Sequence, residues 1–211
     1  MAWKLTSIQY PARILVEDNS GTLWLGLNRD GLIQLDGDKV RHWTDGDILA
    51  DNEVHSLLVA EDESVWVGTC WGIHRWDGQQ WERWVDYDVS GADGPVVGTL
   101  YEASDGTIWA ETRAGITRWN GKRWHAVPEL ARCKHLNSIL ERYGSLWVGC
   151  LSGIYRETDA GWQQFGPESG IEDSFGSFLV KGSNGLLYAA TRSGLYQYDV
   201  SQDEFSPFPI D

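Results

Sequence analysis

The chain has 211 residues, 17 of them Lys or Arg against 31 Asp or Glu, for a formal net charge of −14. A surface of that sign repels polyanions, which argues against nucleic acid and anionic membrane surfaces as partners. The opening residues carry no basic segment leading into an apolar run, and no window reaches bilayer length. Three cysteines, Cys70, Cys133 and Cys150, are odd in number and lack CxxC spacing, so neither a disulfide framework nor a metal or other cofactor is expected, and the expected location is the cytoplasm.

From residue 12 the chain repeats. The copies turn on Gly21-Thr22-Leu23-Trp24, Glu63-Ser64-Val65-Trp66, Gly106-Thr107-Ile108-Trp109, Gly144-Ser145-Leu146-Trp147 and Gly185-Leu186-Leu187-Tyr188. Their aromatics stand 42, 43, 38 and 41 residues apart, and trailing glycines (Gly31, Gly72, Gly115, Gly153, Gly194) keep the same rhythm. Each copy predicts four strands. Strand A is an apolar segment such as Val54 to Val59, ending in a polar turn. Strand B carries the pivot aromatic and, two residues on, a small residue (Gly26, Gly68, Gly149, Ala190) that suits close approach to a neighbouring sheet. Strand C follows the trailing glycine, and hairpin turns such as Asp36-Gly37, Asp77-Gly78 and Asn120-Gly121 lead into strand D with its spaced apolar pair. A period near 40 with four short strands predicts an all-β fold, a β-propeller of five four-stranded antiparallel blades in a single domain over residues 1–211.

Asp105-Gly106-Thr107-Ile108-Trp109, followed by Gly115-Ile116-Thr117-Arg118-Trp119-Asn120-Gly121, resembles the two-component regulator propeller repeat, and the resemblance covers residues 12–208. That repeat is found in sensor regions of bacterial hybrid histidine kinases and in standalone propellers. It implies the propeller fold and a bias toward binding, often of polysaccharide fragments. The repeat is also distantly similar to that of the seven-bladed streptogramin lyases, whose metal-assisted His and Glu pattern is not matched here. Trp3 sits 21 residues before Trp24, in a strand D position, although the last copy already has its own strand D at residues 203–208. A closed five-blade ring with an extra terminal strand is favoured; an open arc completed by oligomerisation and a piece of a longer array stay open.

Residues that break the repeat are the candidates for function. Of the 13 tryptophans, all but Trp3 and Trp71 fall on repeated positions, and Trp3 fits a closing position. Trp71 lies in the loop between strands B and C, where an exposed indole would stack on a sugar ring or anchor a partner residue; packing against the next inter-blade connection is the competing reading. Glu111 takes the position of the small residue in strand B, and Arg113 follows two residues later. They read either as an internal ion pair or, with Trp71 and Tyr87, as the floor and wall of a ligand pocket. His55, at the inner end of strand A, is a lone histidine with no HxH, HExxH or Cys-His spacing. Acidic loops follow blades 1, 2 and 4, with Arg132, Lys134 and His135 as a basic notch after blade 3. The expected function is a non-catalytic module, monomeric or a small homo-oligomer, that binds a protein segment or a carbohydrate at Trp71, Tyr87, Glu111 and Arg113. A lyase or glycosidase using Glu111 and His55 is the rival from another class, and a self-assembling structural propeller is the third.

Overall fold

A computed structural model describes residues 11–84, 96–113 and 115–209; Trp3 and Tyr87 lie outside these. Twenty strands form five sheets, each a four-stranded antiparallel meander in sequence order. Blade 1 is β1 (Ala12–Glu17), β2 (Leu23–Leu27), β3 (Leu32–Asp36) and β4 (Lys39–Trp43); blade 2 is β5 (Val54–Val59), β6 (Val65–Thr69), β7 (Gly72–Trp76) and β8 (Trp81–Trp84). Blade 3 is β9 (Thr99–Glu102), β10 (Ile108–Thr112), β11 (Gly115–Trp119) and β12 (Trp124–Ala126). Blade 4 is β13 (Leu136–Arg142), β14 (Ser145–Cys150), β15 (Gly153–Thr158) and β16 (Gly161–Phe165), and blade 5 is β17 (Phe178–Lys181), β18 (Leu187–Thr191), β19 (Gly194–Asp199) and β20 (Glu204–Pro207). The fold is that of a β-propeller with five blades, as the repeat predicts. The chain divides into two compact units, one holding blades 1 to 3 and the other blades 4 and 5.

The repeated residues have identifiable jobs. The pivots Trp24, Trp66, Trp109 and Trp147 are at most 3% exposed. Three of their indole N–H groups are satisfied from the end of strand A or the turn after it: Trp24 donates to Asp18 Oδ2, Trp66 to Ser64 Oγ and Trp147 to the Arg142 carbonyl. Across the sheet, each of Trp66, Trp109 and Trp147 pairs with an arginine of strand C, and Arg75, Arg118 and Arg156 lie over those rings at 5.6, 5.8 and 5.3 Å. The repeated Arg of the Gly-Ile-Xaa-Arg segments is therefore a cation–π lid on the pivot. The small residue after the pivot is explained by the neighbouring blade. A Cβ on Gly26 would come within 2.5 Å of Val54 Cγ1, and one on Gly68 within 2.8 Å of Val97 Cβ.

Strand A opens on a β-bulge in blades 1, 2 and 4, and the bulged residues are Arg13, His55 and Asn137. An extra residue there breaks the alternation and re-aims one side chain per blade. The same end of blade 4 corrects the cysteine expectation. Cys133 and Cys150 form a disulfide with their Cα atoms 5.6 Å apart. Leu136 pairs with Cys150 across the β13–β14 hairpin, so the segment just before β13 returns past the end of β14, and Leu151 N–H donates to the Lys134 carbonyl beside it. Cys70 is left as the free cysteine.

Candidate functional site

The loop-bearing end of blades 1 to 3 gathers the departures from the repeat. After β6 the chain turns through Cys70 and Trp71 into β7. Trp71 N–H donates to Thr69 Oγ1, which itself donates to the Gly72 carbonyl, so the turn is pinned by one hydroxyl. The Trp71 indole is left 51% exposed on this short, braced loop, in contrast to the buried pivots.

The next strand fixes the other side of the site. Val97 N–H donates to the Thr69 carbonyl and Gly98 N–H to the Glu111 carbonyl. Consecutive amides thus tie the end of β6, where the Trp71 loop begins, to β10. Glu111 is half-buried and its carboxylate lies over Gly98, where an added Cβ would come within 2.7 Å of Oε2. Arg113 is exposed at the end of the same hairpin. Thr69 and Glu111 accordingly flank the Val97–Gly98 dipeptide, with Trp71 two residues beyond Thr69 in the chain, while Tyr87, the fourth residue expected there, is outside the described residues.

On the blade 1 side stands a cluster that the repeat pattern does not mark. The bulge at His55 turns its imidazole toward the end of β6, and Nε2 lies 3.1 Å from Cys70 Sγ and 3.6 Å from Glu53 Oε1. Cys70 Sγ is 3.8 Å from Glu53 Oε2, and Arg13 Nη1 pairs with Glu53 Oε1 at 3.1 Å. Glu53 N–H donates to Asp51 Oδ1, which holds the segment before β5 in place. Burial, with the Glu53 and Asp51 carboxylates, pushes the Cys70 thiol up to about 11, so at neutral pH it is a thiol and a donor. Burial and the Arg13 charge lower the His55 pKa, against an opposing pull from Glu53 and Asp51. The imidazole is therefore neutral at pH 7. A neutral thiol beside a neutral imidazole is not an activated nucleophile.

In sequence His55 and Cys70 stand 15 residues apart with no motif between them. What joins them is the hairpin register, in which Val54 pairs with Thr69 and the bulge follows at once. A pivot-based register brings the two positions near each other, but the bulge that aims the ring has no residue signature.

The acidic loop after blade 1 consumes its own carboxylates. Asp47 accepts from Thr44 N–H and Oγ1, Asp45 from Asn52 Nδ2, and Asp51 from Glu53 N–H. These are turn caps within the loop. Asp86, Asp88 and Asp93, in the loop after blade 2, are outside the described residues.

No family model and no curated protein matches the sequence. Among solved structures, the extracellular domain of a hybrid two-component system of B. thetaiotaomicron is similar at a TM-score of 0.68 and 18% identity, covering 92% of this chain and 28% of that one. Virginiamycin B lyase from Staphylococcus aureus is similar at 0.63 and 18%, covering 93% and 69%. YCF48, in a structure bound to a D1 peptide, is similar at 0.60 and 16%, covering 94% and 68%. At these identities the likeness establishes the fold, and this chain spans little more than a quarter of the first protein. The expectation of a cytoplasmic location is corrected. The first of these structures is an extracellular domain, and the Cys133–Cys150 bond belongs to a class that persists in oxidising compartments.

Proposed function

We propose that the chain is a non-catalytic binding module that receives a protein segment on the loop-bearing end of blades 1 to 3, in an oxidising compartment. The observation that carries this reading is the 51% exposed Trp71 on a hydroxyl-braced loop, since a rigid, half-open indole is the kind of anchor on which binding energy concentrates. In this reading Glu111, tied to the end of β6 through Val97 and Gly98, and the exposed Arg113 at the end of its hairpin supply the polar groups of the surface. The peptide seen on the similarly folded YCF48 supports a protein segment as occupant.

A peptide array and a glycan array probed with the purified protein separate the outcomes, followed by titration of the best hits. Trp71→Ala is expected to weaken peptide binding by about 30-fold or more, the loss expected of an anchor worth about 2 kcal/mol, with the melting temperature unchanged. Binding of glycans alone, or peptide affinity indifferent to Trp71→Ala, overturns the reading.

A further inference from the structure

Glu53, His55 and Cys70 bring one carboxylate, one imidazole nitrogen and one sulfur to a common point, and among the described residues this is the group that could hold a metal ion, with all ligand atoms within 4.8 Å of one another. We propose that these three residues form a binding site for a divalent cation of zinc type, with a fourth position left open on the loop-bearing end.

The separations fit that ion. Zinc binds sulfur at about 2.3 Å and nitrogen or oxygen at about 2.0–2.2 Å in a tetrahedron, so its ligand atoms stand about 3.3–3.6 Å apart. Here Cys70 Sγ and His55 Nε2 stand 3.1 Å apart, the Glu53 carboxylate reaches Sγ through Oε2 at 3.8 Å and Nε2 through Oε1 at 3.6 Å, and one ligand atom from each residue lies within 4.8 Å of the other two. Turning the Glu53 carboxylate about its side-chain bonds brings one oxygen to both partners, an adjustment of a side chain rather than of a strand. The donor set is selective as well. One thiolate, one imidazole and one carboxylate suit a borderline cation, whereas calcium and magnesium take oxygen ligands.

Charge and support agree with this assignment. On coordination the Cys70 thiol gives its proton to solvent, and the resulting thiolate together with the Glu53 carboxylate neutralises a dication. Arg13 and Asp51 then balance each other at the edge of the site. The two oxygens of Glu53 have separate roles. Oε2 faces Cys70, and Oε1 is held by Arg13, which orients the carboxylate as outer partners of metal ligands do. The ligands come from the segment before β5, the β5 bulge and the residue after β6, all fixed by the same hairpin.

The test uses cobalt(II) as a spectroscopic probe and zinc as the competitor, on the intact chain without reductant. Because Cys133 and Cys150 are bonded to each other, any thiolate-to-cobalt charge-transfer absorption reports Cys70. One equivalent of cobalt is expected to raise that band, and one equivalent of zinc to abolish it. Cys70→Ser and His55→Gln, each first shown to melt as the parent does without metal, are expected to lose the band and to weaken zinc binding by about 100-fold or more, beyond what loss of a supporting residue costs. Absence of the band in the parent, or its persistence in Cys70→Ser, overturns the site. So does zinc affinity equal in the parent and both variants.

Discussion

In blades 2 and 3 indoles meet indoles. Trp66 stacks on Trp84 with centroids 5.5 Å apart, Trp84 meets Trp119 at 4.8 Å and Trp119 meets Trp124 at 5.6 Å. In blades 4 and 5 smaller rings take the same places. Trp147 packs on Phe165 at 5.2 Å and on Tyr198 at 4.7 Å, and Phe165 on Phe205 at 5.5 Å. An indole brings more apolar area than a phenyl ring but also an N–H that must find an acceptor. The indole nitrogens of Trp81 and Trp124 are buried without one among the described residues. The phenol of Tyr198 is instead fully engaged, accepting from Arg156 and donating to Asp203, while Arg156 also reaches Gln163. Blades 4 and 5 thus combine smaller rings with a polar network that runs through the Tyr198 phenol and a disulfide, where blades 2 and 3 stack larger rings and keep their polar contacts, Arg75 to Asp62 and Glu82, at the sheet edge.

The most damaging change should be the same in kind on both sides. Trp147→Ala removes a fully buried pivot and is expected to cost about 3–5 kcal/mol in denaturant unfolding, with Trp66→Ala matching it. A loss at Trp147 much smaller than at Trp66 would show that the Arg156 network and the disulfide hold blades 4 and 5 without their pivot. The covalent link comes next. Cys133→Ala with Cys150→Ala opens a loop with a sequence separation of 17 and is expected to cost about 2–5 kcal/mol, read as faster amide exchange in β13 and β14.

Blade 2 carries a pH-dependent weakness in place of a covalent bond. His74 is fully buried; its Nε2 accepts from Ala50 N–H and its Nδ1–H donates to the Val67 carbonyl. Burial lowers its pKa to about 4 from 6.5. Above pH 6.5 the ring is neutral folded or unfolded, and nothing is lost. Between pH 6.5 and 4 only the unfolded chain takes the proton, so stability falls; below about 4 both states are protonated and this loss stops growing. At 1.36 kcal/mol per pH unit the loss approaches about 3 kcal/mol, and His74→Gln is expected to flatten that part of the profile. An unchanged slope in the variant would assign the acid sensitivity to other groups.

Pivots, trailing glycines and the small residue after four of the five pivots were legible because each follows from packing that recurs from blade to blade, and Glu111 stood out as the exception. Trp71 was legible as the tryptophan left over. The Cys133–Cys150 bond was not, since it depends on where a loop returns, and an odd cysteine count without close spacing hid it. The Glu53, His55 and Cys70 cluster was hidden for a related reason: a single bulge decides which way His55 points. The acidic loop after blade 1 stood out in sequence by its charge, yet Asp45, Asp47 and Asp51 are absorbed by Asn52, Thr44 and Glu53. Loop-internal turn caps of this sort look, in sequence alone, like any other run of acids.

The smallest expected effect tests the indole argument itself. Trp124→Phe removes apolar area, which costs stability, but also deletes a buried N–H that has no acceptor, which returns about 1–3 kcal/mol of desolvation penalty. The two terms oppose, and the net change in unfolding free energy is expected to stay within about 1 kcal/mol of zero. Trp66→Phe removes the same ring difference from a nitrogen that donates to Ser64 Oγ, so there the lost bond adds to the lost area and nothing is returned. A difference of about 1 kcal/mol or more between the two variants therefore isolates the orphaned N–H. Equal losses at both positions would mean that an acceptor reaches the Trp124 indole in solution, and the contrast between the two halves of the molecule would reduce to ring size.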